Sequence, residues 1–144
     1  MPNAKSILDK KGADVATVER KTTVLEAAKT MNQRRIGAVV VTEGERVVGI
    51  FTERDILNRI VAAGKDPKTT PVGEVMTSPM ACCRRDALLA DCKNVMSQKR
   101  IRHLPVVEEG KLFGMISTGD ILASEVSDKQ ATIEYLHEYL HGHR

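Results

Sequence analysis

The sequence predicts an α+β fold in which two copies of one β-α-β-β-α unit pack through their sheets, followed by a C-terminal amphipathic helix. Three observations predict it. The stretch Gly49–Leu57 (GIFTERDIL) returns 65 residues later as Gly114–Leu122 (GMISTGDIL). Apolar residues recur at helical spacing before each copy of this stretch. Two β-branched or apolar runs flank a polar, glycine-containing turn in each half of the chain.

The repeat defines the predicted domain organisation. The 65-residue offset holds without a gap, so that Met31 matches Met96 and Arg35-Ile36 matches Arg100-Ile101. A unit of about 60 residues is marginal alone, because it buries only about 60% of its unfolded surface. We therefore expect two repeats with a shared core. The predicted bounds are an N-terminal segment 1–13, repeat one 14–64, a linker rich in Gly, Pro and charge 65–71, repeat two 72–124, and a C-terminal helix 125–144.

Each element follows from a local pattern. Residues 14–18 and 79–83 are predicted as short extended segments. A helix is predicted over 23–34, with Val24, Ala27, Ala28 and Met31 on one face, and its counterpart carries Leu89, Cys92, Val95 and Met96. Strands are predicted over 38–42 and 47–51, and again over 104–107 and 112–116. A helix follows each motif, and the final helix has an apolar stripe of Ile133, Leu136 and Leu140.

Composition excludes several classes of function. Of the 144 residues, 42% are hydrophobic and no apolar run is long enough to span a membrane. The N-terminus lacks the apolar core of a secretory signal. The three cysteines lack metal-ligand spacing, which favours reduced thiols and a cytoplasmic protein. Aromatic residues are 3% and Trp is absent, so base-stacking platforms for nucleic acid are not expected.

The repeated motif has the pattern of a capping box. Thr52 or Ser117 is predicted as the N-cap of a helix, and Asp55 or Asp120 lies in its first turn. Most matches to this pattern do nothing more than begin a helix. A role limited to capping is therefore one interpretation of both motifs.

The chain resembles a cystathionine-β-synthase (CBS) domain pair, also called a Bateman module. The resemblance rests on RIGAVVV (35–41), GIFTERDIL (49–57), VGEVMT (72–77), RIRHLPVV (100–107) and GMISTGD (114–120), and covers nearly the whole chain. It implies a non-catalytic regulatory module that binds AMP, ADP, ATP or NAD(H) in two clefts between the repeats. In those clefts the Thr or Ser hydroxyl would hold a phosphate, and the Asp would accept hydrogen bonds from the two ribose hydroxyls.

The predicted ligand-binding set combines these motif residues with segments that would line the base and with nearby cations. Its members are Thr17, Val18, Ile36, Gly37, Ala38, Thr52, Arg54, Asp55, Cys82, Cys83, Ile101, Arg102, His103, Leu104, Ser117 and Asp120. The clefts are not expected to be equal, because Arg54 stands where the second motif has Gly119. The alternatives are a solvated surface role for Arg54 and a strand-edge role for His103.

The tail contains the sequence His137-Glu138-Tyr139-Leu140-His141, which matches the H-E-x-x-H pattern of zinc hydrolases. Only three residues follow it, so we interpret it as a chance match and expect neither metal nor catalysis. The resemblance to CBS pairs therefore implies a sensor of adenine nucleotides, and we expect it to be a homodimer that acts on an unidentified regulated protein. The alternative is a protein-interaction scaffold with this fold that no longer binds nucleotide.

Overall fold

A computed structural model describes residues 1–126 and contains two sheets and six helices over that range. The predicted C-terminal helix and the H-E-x-x-H sequence lie outside the described residues, except for 125 and 126. The elements in chain order are α1 (Ala4–Lys11), β1 (Thr17–Glu19), α2 (Val24–Arg34), β2 (Ala38–Glu43), β3 (Arg46–Thr52), α3 (Glu53–Asp55, continued by a π-helix Ile56–Val61), α4 (Val72–Val75), α5 (Leu89–Lys99), β4 (His103–Glu108), β5 (Lys111–Ser117) and α6 (Thr118–Val126).

The two repeats form similar sheets with one difference. In the first sheet β1 lies parallel to β2, and β2 pairs antiparallel with β3. In the second sheet β4 and β5 pair in the same way, but the predicted strand over 79–83 is reduced to a single bridge between Cys83 and Val106. The cause is Pro105. The equivalent Val40 donates its N–H to the Ala16 carbonyl at 3.1 Å, and proline has no N–H to donate.

The helices begin and end as their sequences indicate. Thr23 caps α2 by accepting a hydrogen bond from the Glu26 N–H at 3.2 Å, as the predicted helix over 23–34 requires. α2 and α5 both end at an arginine, Arg35 or Arg100, in the left-handed conformation with φ of 54°. The chain therefore turns the same way into β2 and β4.

The repeats interlock through two helices that the sequence patterns did not assign to a core. Ala4, Ile7 and Leu8 of α1 pack in the cluster formed by α5, β4, β5 and α6 of the second repeat. Val72 and Val75 of α4 pack in the core of the first repeat with Val24, Val39 and Phe51. Because the core of each repeat includes a helix that lies just before the other repeat or at its start, neither core is complete without both halves.

A third cluster joins the two sheets. Ala38, Val40 and Ile50 of the first sheet are buried against Met115 of the second. The Val47 N–H also donates to the Gly110 carbonyl at 3.0 Å, which ties the two sheets by their backbones. The predicted tandem α+β arrangement, with repeats packed through their sheets, is confirmed. Its consequence is that the strand-to-helix turn of one repeat faces segments of the other.

Candidate functional site

Both repeated motifs form the predicted capping boxes. In the first motif the Asp55 N–H donates to Thr52 Oγ1 at 3.3 Å, and the Thr52 N–H donates to Asp55 Oδ2 at 3.0 Å. In the second, the Asp120 N–H donates to Ser117 Oγ at 3.0 Å, and the Ser117 N–H donates to Asp120 Oδ2 at 2.9 Å. Each motif thus fixes its hydroxyl and carboxylate at the start of a helix.

The two carboxylates have different third partners. Thr77, which follows α4, donates its hydroxyl to Asp55 Oδ1 at 3.1 Å, and the Asp55 residue is only 5% exposed. Lys11, at the end of α1, places its ammonium 2.7 Å from Asp120 Oδ2. Burial alone would raise the pKa of Asp120, but the hydrogen bonds from Lys11 and the Ser117 N–H lower it. The first carboxylate therefore accepts its third hydrogen bond from a neutral hydroxyl, with the Arg59 Nε 3.7 Å from Oδ1, whereas the second accepts its third hydrogen bond from a cation.

A cleft of about 600 Å³ lies beside the first motif, between the two repeats. This volume is within the range of sites that hold small-molecule ligands. One wall comes from the first repeat, and the other from the segment after α4 and the turn between α5 and β4. Its lining residues are Gly37, Ile50, Thr52, Glu53, Arg54, Asp55, Asn58, Arg59, Thr77, Pro79, Met80, Ala81, Lys99, Arg100, Ile101, Arg102 and His103.

Cations outnumber carboxylates along this cleft. The lining contains four arginines and one lysine but only two carboxylates, Glu53 and Asp55. Two of the arginines are anchored by backbone carbonyls. Arg54 Nη1 donates across the cleft to the Arg100 carbonyl at 2.9 Å, and Arg59 Nη1 donates to the Met76 carbonyl at 2.8 Å. Such an arrangement attracts an anion with several charges.

His103 is a neutral polar group in the wall. Burial lowers the pKa of His103, and the nearby Glu53 carboxylate partly opposes that effect. Since Lys11 and Arg102 also lower the pKa, the imidazole is uncharged at neutral pH. His103 therefore offers a hydrogen bond to a ligand rather than a positive charge.

The structure brings together part of the predicted ligand-binding set. Seven of its members line the cleft: Gly37, Thr52, Arg54, Asp55, Ile101, Arg102 and His103. The others do not line it. They are Thr17 and Val18 in β1, Ile36, the buried Ala38 and Leu104, Cys82, Cys83, and the second-motif residues Ser117 and Asp120.

Sequence reasoning missed several residues of this cleft. Arg59 lies one turn after Asp55, with its Nε 3.7 Å from Asp55 Oδ1, and i,i+4 spacing was an available signal. Thr77 and Lys99 gave no such signal, because they approach the motif only through the interlocking of the repeats.

Of the two predicted base-lining cysteines, Cys83 packs against the core of the second repeat and Cys82 is exposed. Burial, with the neighbouring Cys92 thiol, raises the pKa of Cys83 to about 12, and burial also raises the pKa of Cys92. All three cysteines are free thiols. Cys83 and Cys92 are therefore protonated at neutral pH and poorly nucleophilic.

Over residues 1–126, no helix is both long and apolar enough to cross a membrane.

The chain belongs to the CBS domain family. The family model for the CBS domain matches twice, over residues 4–62 and 72–127. The curated relative CBS domain-containing protein YhcV of Bacillus subtilis is 36% identical over 126 residues, which are 88% of this chain and 89% of the relative. CBS pairs are regulatory modules, and the match indicates no catalytic family.

Solved structures of CBS proteins are similar to most of this chain. A CBS-domain protein from Burkholderia ambifaria has 35% identity and a TM-score of 0.84, covering 88% of this chain and 96% of that one. The CBS domain protein PAE2072 from Pyrobaculum aerophilum, whose structure is a complex with AMP, has 27% identity and a TM-score of 0.73, covering 83% of this chain and 89% of that one.

Proposed function

We propose that this protein is a non-catalytic regulatory module that binds an adenine nucleotide in the cleft beside Asp55. The observation that carries the proposal is the cleft itself. A fixed hydroxyl–carboxylate pair, Thr52 and Asp55, stands next to a cluster of arginines at the boundary of two repeats. The AMP complex of the relative PAE2072 supports the ligand class.

The residues of the cleft suit the three parts of a nucleotide. Asp55 accepts hydrogen bonds from the ribose diol, with Thr77 giving up or sharing its place on the carboxylate. Thr52 donates its hydroxyl to the first phosphate. Ile50, Met80 and Ile101 offer apolar surface to the adenine ring, and Gly37 leaves room for its close approach.

The charge of the cleft favours a ligand with more than one phosphate. At the offset of 65 residues, Arg54 and Arg59 correspond to Gly119 and Ser124. The first motif and the helix that follows it therefore contribute two arginines that the second motif and its helix lack. Bidentate guanidinium groups suit the oxygens of a polyphosphate, so we propose that ATP or ADP binds here more tightly than AMP.

We propose that the nucleotide acts by population shift. Because the cleft is formed by both repeats, a ligand that touches both walls favours one relative placement of the repeats. An unidentified partner protein in the cytoplasm would then read the changed surface. Such a module would report the energy state of the cell.

We also propose a homodimer. Leu57 and Leu122 occupy equivalent positions after the two motifs, and both are exposed, at 60% and 58%. Val61, one turn after Leu57, is 67% exposed. Apolar side chains exposed at matching places on two helices are suited to contact with a second copy of the chain.

One observation favours a scaffold without a ligand. Asp55 is buried and its carboxylate already accepts hydrogen bonds from Thr52 and Thr77. Calorimetric titration of ATP, ADP, AMP and NADH into the unmodified protein separates the two functions. Our proposal expects saturable heat, abolished by Asp55→Ala and retained by Asp86→Asn at an exposed aspartate outside the cleft. No heat with any of the four nucleotides would establish the scaffold instead.

A further inference from the structure

The partner of the second-motif carboxylate comes from the other end of the chain. Lys11 is the last residue of α1, and its ammonium donates to Asp120 Oδ2 at 2.7 Å and to the Met115 carbonyl at 2.9 Å. The side chain of Lys11 is 37% exposed and that of Asp120 is 22% exposed. Lys11 therefore occupies the carboxylate that a ribose at the second motif would need.

Lys11 takes the place that Thr77 occupies in the first repeat. The evidence for this equivalence is a pair of matching contacts. The Met76 side chain packs against Gly49, and the Leu8 side chain packs against Gly114, which is the equivalent glycine of the second repeat. After Met76, the Thr77 N–H donates to the Ile50 carbonyl at 2.8 Å and the Thr77 hydroxyl donates to Asp55. After Leu8, the Lys11 ammonium donates to the carbonyl of Met115 and to Asp120.

The change of partner alters what each carboxylate offers a ligand. A vicinal diol needs two acceptors on one carboxylate, and Asp120 Oδ2 already accepts from Lys11 and from the Ser117 N–H. A ribose must therefore displace an ammonium that forms a charge-assisted hydrogen bond. Asp55 has only hydroxyl and N–H donors within hydrogen-bond distance, and a hydroxyl rotates to accept or donate. A ribose at Asp55 must displace the Thr77 hydroxyl, and Arg59 Nε lies 3.7 Å from Oδ1, but no charge-assisted hydrogen bond has to be broken.

We propose that Lys11 is a specificity-determining residue that closes the second motif to the ribose of an adenine nucleotide, so that each chain binds its first nucleotide beside Asp55. The inference rests on the proposed function. It is consistent with the lower positive charge of the second motif, which has Gly119 where the first has Arg54. Removing the ammonium frees Asp120 Oδ2 and strengthens binding there by roughly 10- to 100-fold, the worth of a hydrogen bond to a charged group.

The test is the stoichiometry of ATP binding to the full chain, measured by calorimetry. The unmodified protein should bind one equivalent, with a second equivalent absent or at least about 10-fold weaker. Lys11→Met should gain or strengthen the second equivalent. Adding Asp120→Asn to Lys11→Met should remove it again. Lys10→Met is the matched control, because Lys10 is exposed on the same helix turn, and it should behave as the unmodified protein.

Three outcomes overturn the inference while leaving the proposed function standing. They are two equal sites in the unmodified protein, a second site unaffected by Lys11→Met, and loss of a site in Lys11→Met, which would make Lys11 a ligand for phosphate. No binding by the unmodified protein refutes the proposed function itself, and the inference with it. If Lys11→Met fails to show a native far-ultraviolet circular dichroism spectrum, Lys11→Gln replaces it.

Discussion

Replacing Gly49 by alanine should destabilise the protein more than the same change at the equivalent Gly114. A Cβ at position 49 would lie 2.7 Å from Met76 Sδ and 2.9 Å from the Thr77 backbone oxygen. The three atoms nearest to a Cβ at position 114 would all belong to the Leu8 side chain, the nearest at 2.5 Å. A side-chain end can rotate away, whereas the Thr77 backbone is held by its paired hydrogen bonds with Ile50.

The expected magnitude follows from overpacking. Forcing extra atoms against a fixed backbone costs about 1–3 kcal/mol, and this is the range for Gly49→Ala. At Gly114 the contact is shorter, but movement of the Leu8 side chain relieves it, and the remaining cost is offset by the loss of chain entropy in the unfolded state, which favours alanine by about 0.4–1 kcal/mol. Gly114→Ala should therefore lie within about 1 kcal/mol of the unmodified protein.

Urea denaturation at equal protein concentration measures the difference. With unchanged m values, the midpoint for Gly49→Ala should fall clearly below that for Gly114→Ala. Equal midpoints, or a more stable Gly49→Ala protein, would refute the claim that the segment after α4 is fixed across β3. Because that segment places the Thr77 hydroxyl on Asp55, Gly49→Ala should also weaken nucleotide binding.

Three further predictions concern charge, pH and assembly. Arg54→Ala should lower the affinity for ATP by roughly 10-fold and the affinity for AMP by less, because a charge-assisted hydrogen bond to the outer phosphates is lost. Calorimetry measures both affinities, with Arg84→Ala as the control. Equal losses of affinity for ATP and AMP would contradict this prediction. Side-chain and backbone hydrogen bonds from Arg85 lower the pKa of Glu108 to about 2, so its contribution to stability is present above the ordinary carboxyl pKa and is lost as pH falls toward 2. The urea denaturation midpoint of Glu108→Gln should therefore fall less between pH 5 and pH 2 than the midpoint of the unmodified protein does. Equal falls for the two proteins would refute this. Leu57→Asp should convert a dimer to a monomer in light scattering after gel filtration, because it places a charge on an exposed apolar face; a dimer of unchanged stability would place the interface elsewhere.

Local patterns predicted most of the architecture but not its interlocking. The offset of 65 residues, the helix over 23–34 and the paired strands around polar turns were all predicted from the sequence. The helix α1 was not, because its few apolar residues pack on a sheet more than 100 residues away in the chain. The strand before α5 is reduced because Pro105 has no N–H to donate to it. This effect can be predicted only when the strand that pairs with Pro105 is known.

The candidate site, like the fold, was predicted from the sequence only in part. The capping boxes of Thr52–Asp55 and Ser117–Asp120 follow from the motif alone. Their third partners, Thr77 and Lys11, do not, because each arrives from a helix that precedes the opposite repeat. The inequality between the motifs was predicted from Arg54, and Lys11 adds to it a contact that sequence spacing does not reveal.

The crystal structure of the protein with saturating ATP tests the central claim most directly. We expect density for a nucleotide in the cleft between the repeats, with its ribose hydroxyls on the Asp55 carboxylate and its phosphates facing Thr52, Arg54 and Arg102. An empty cleft at saturating ATP, or a nucleotide bound away from Asp55, would contradict it.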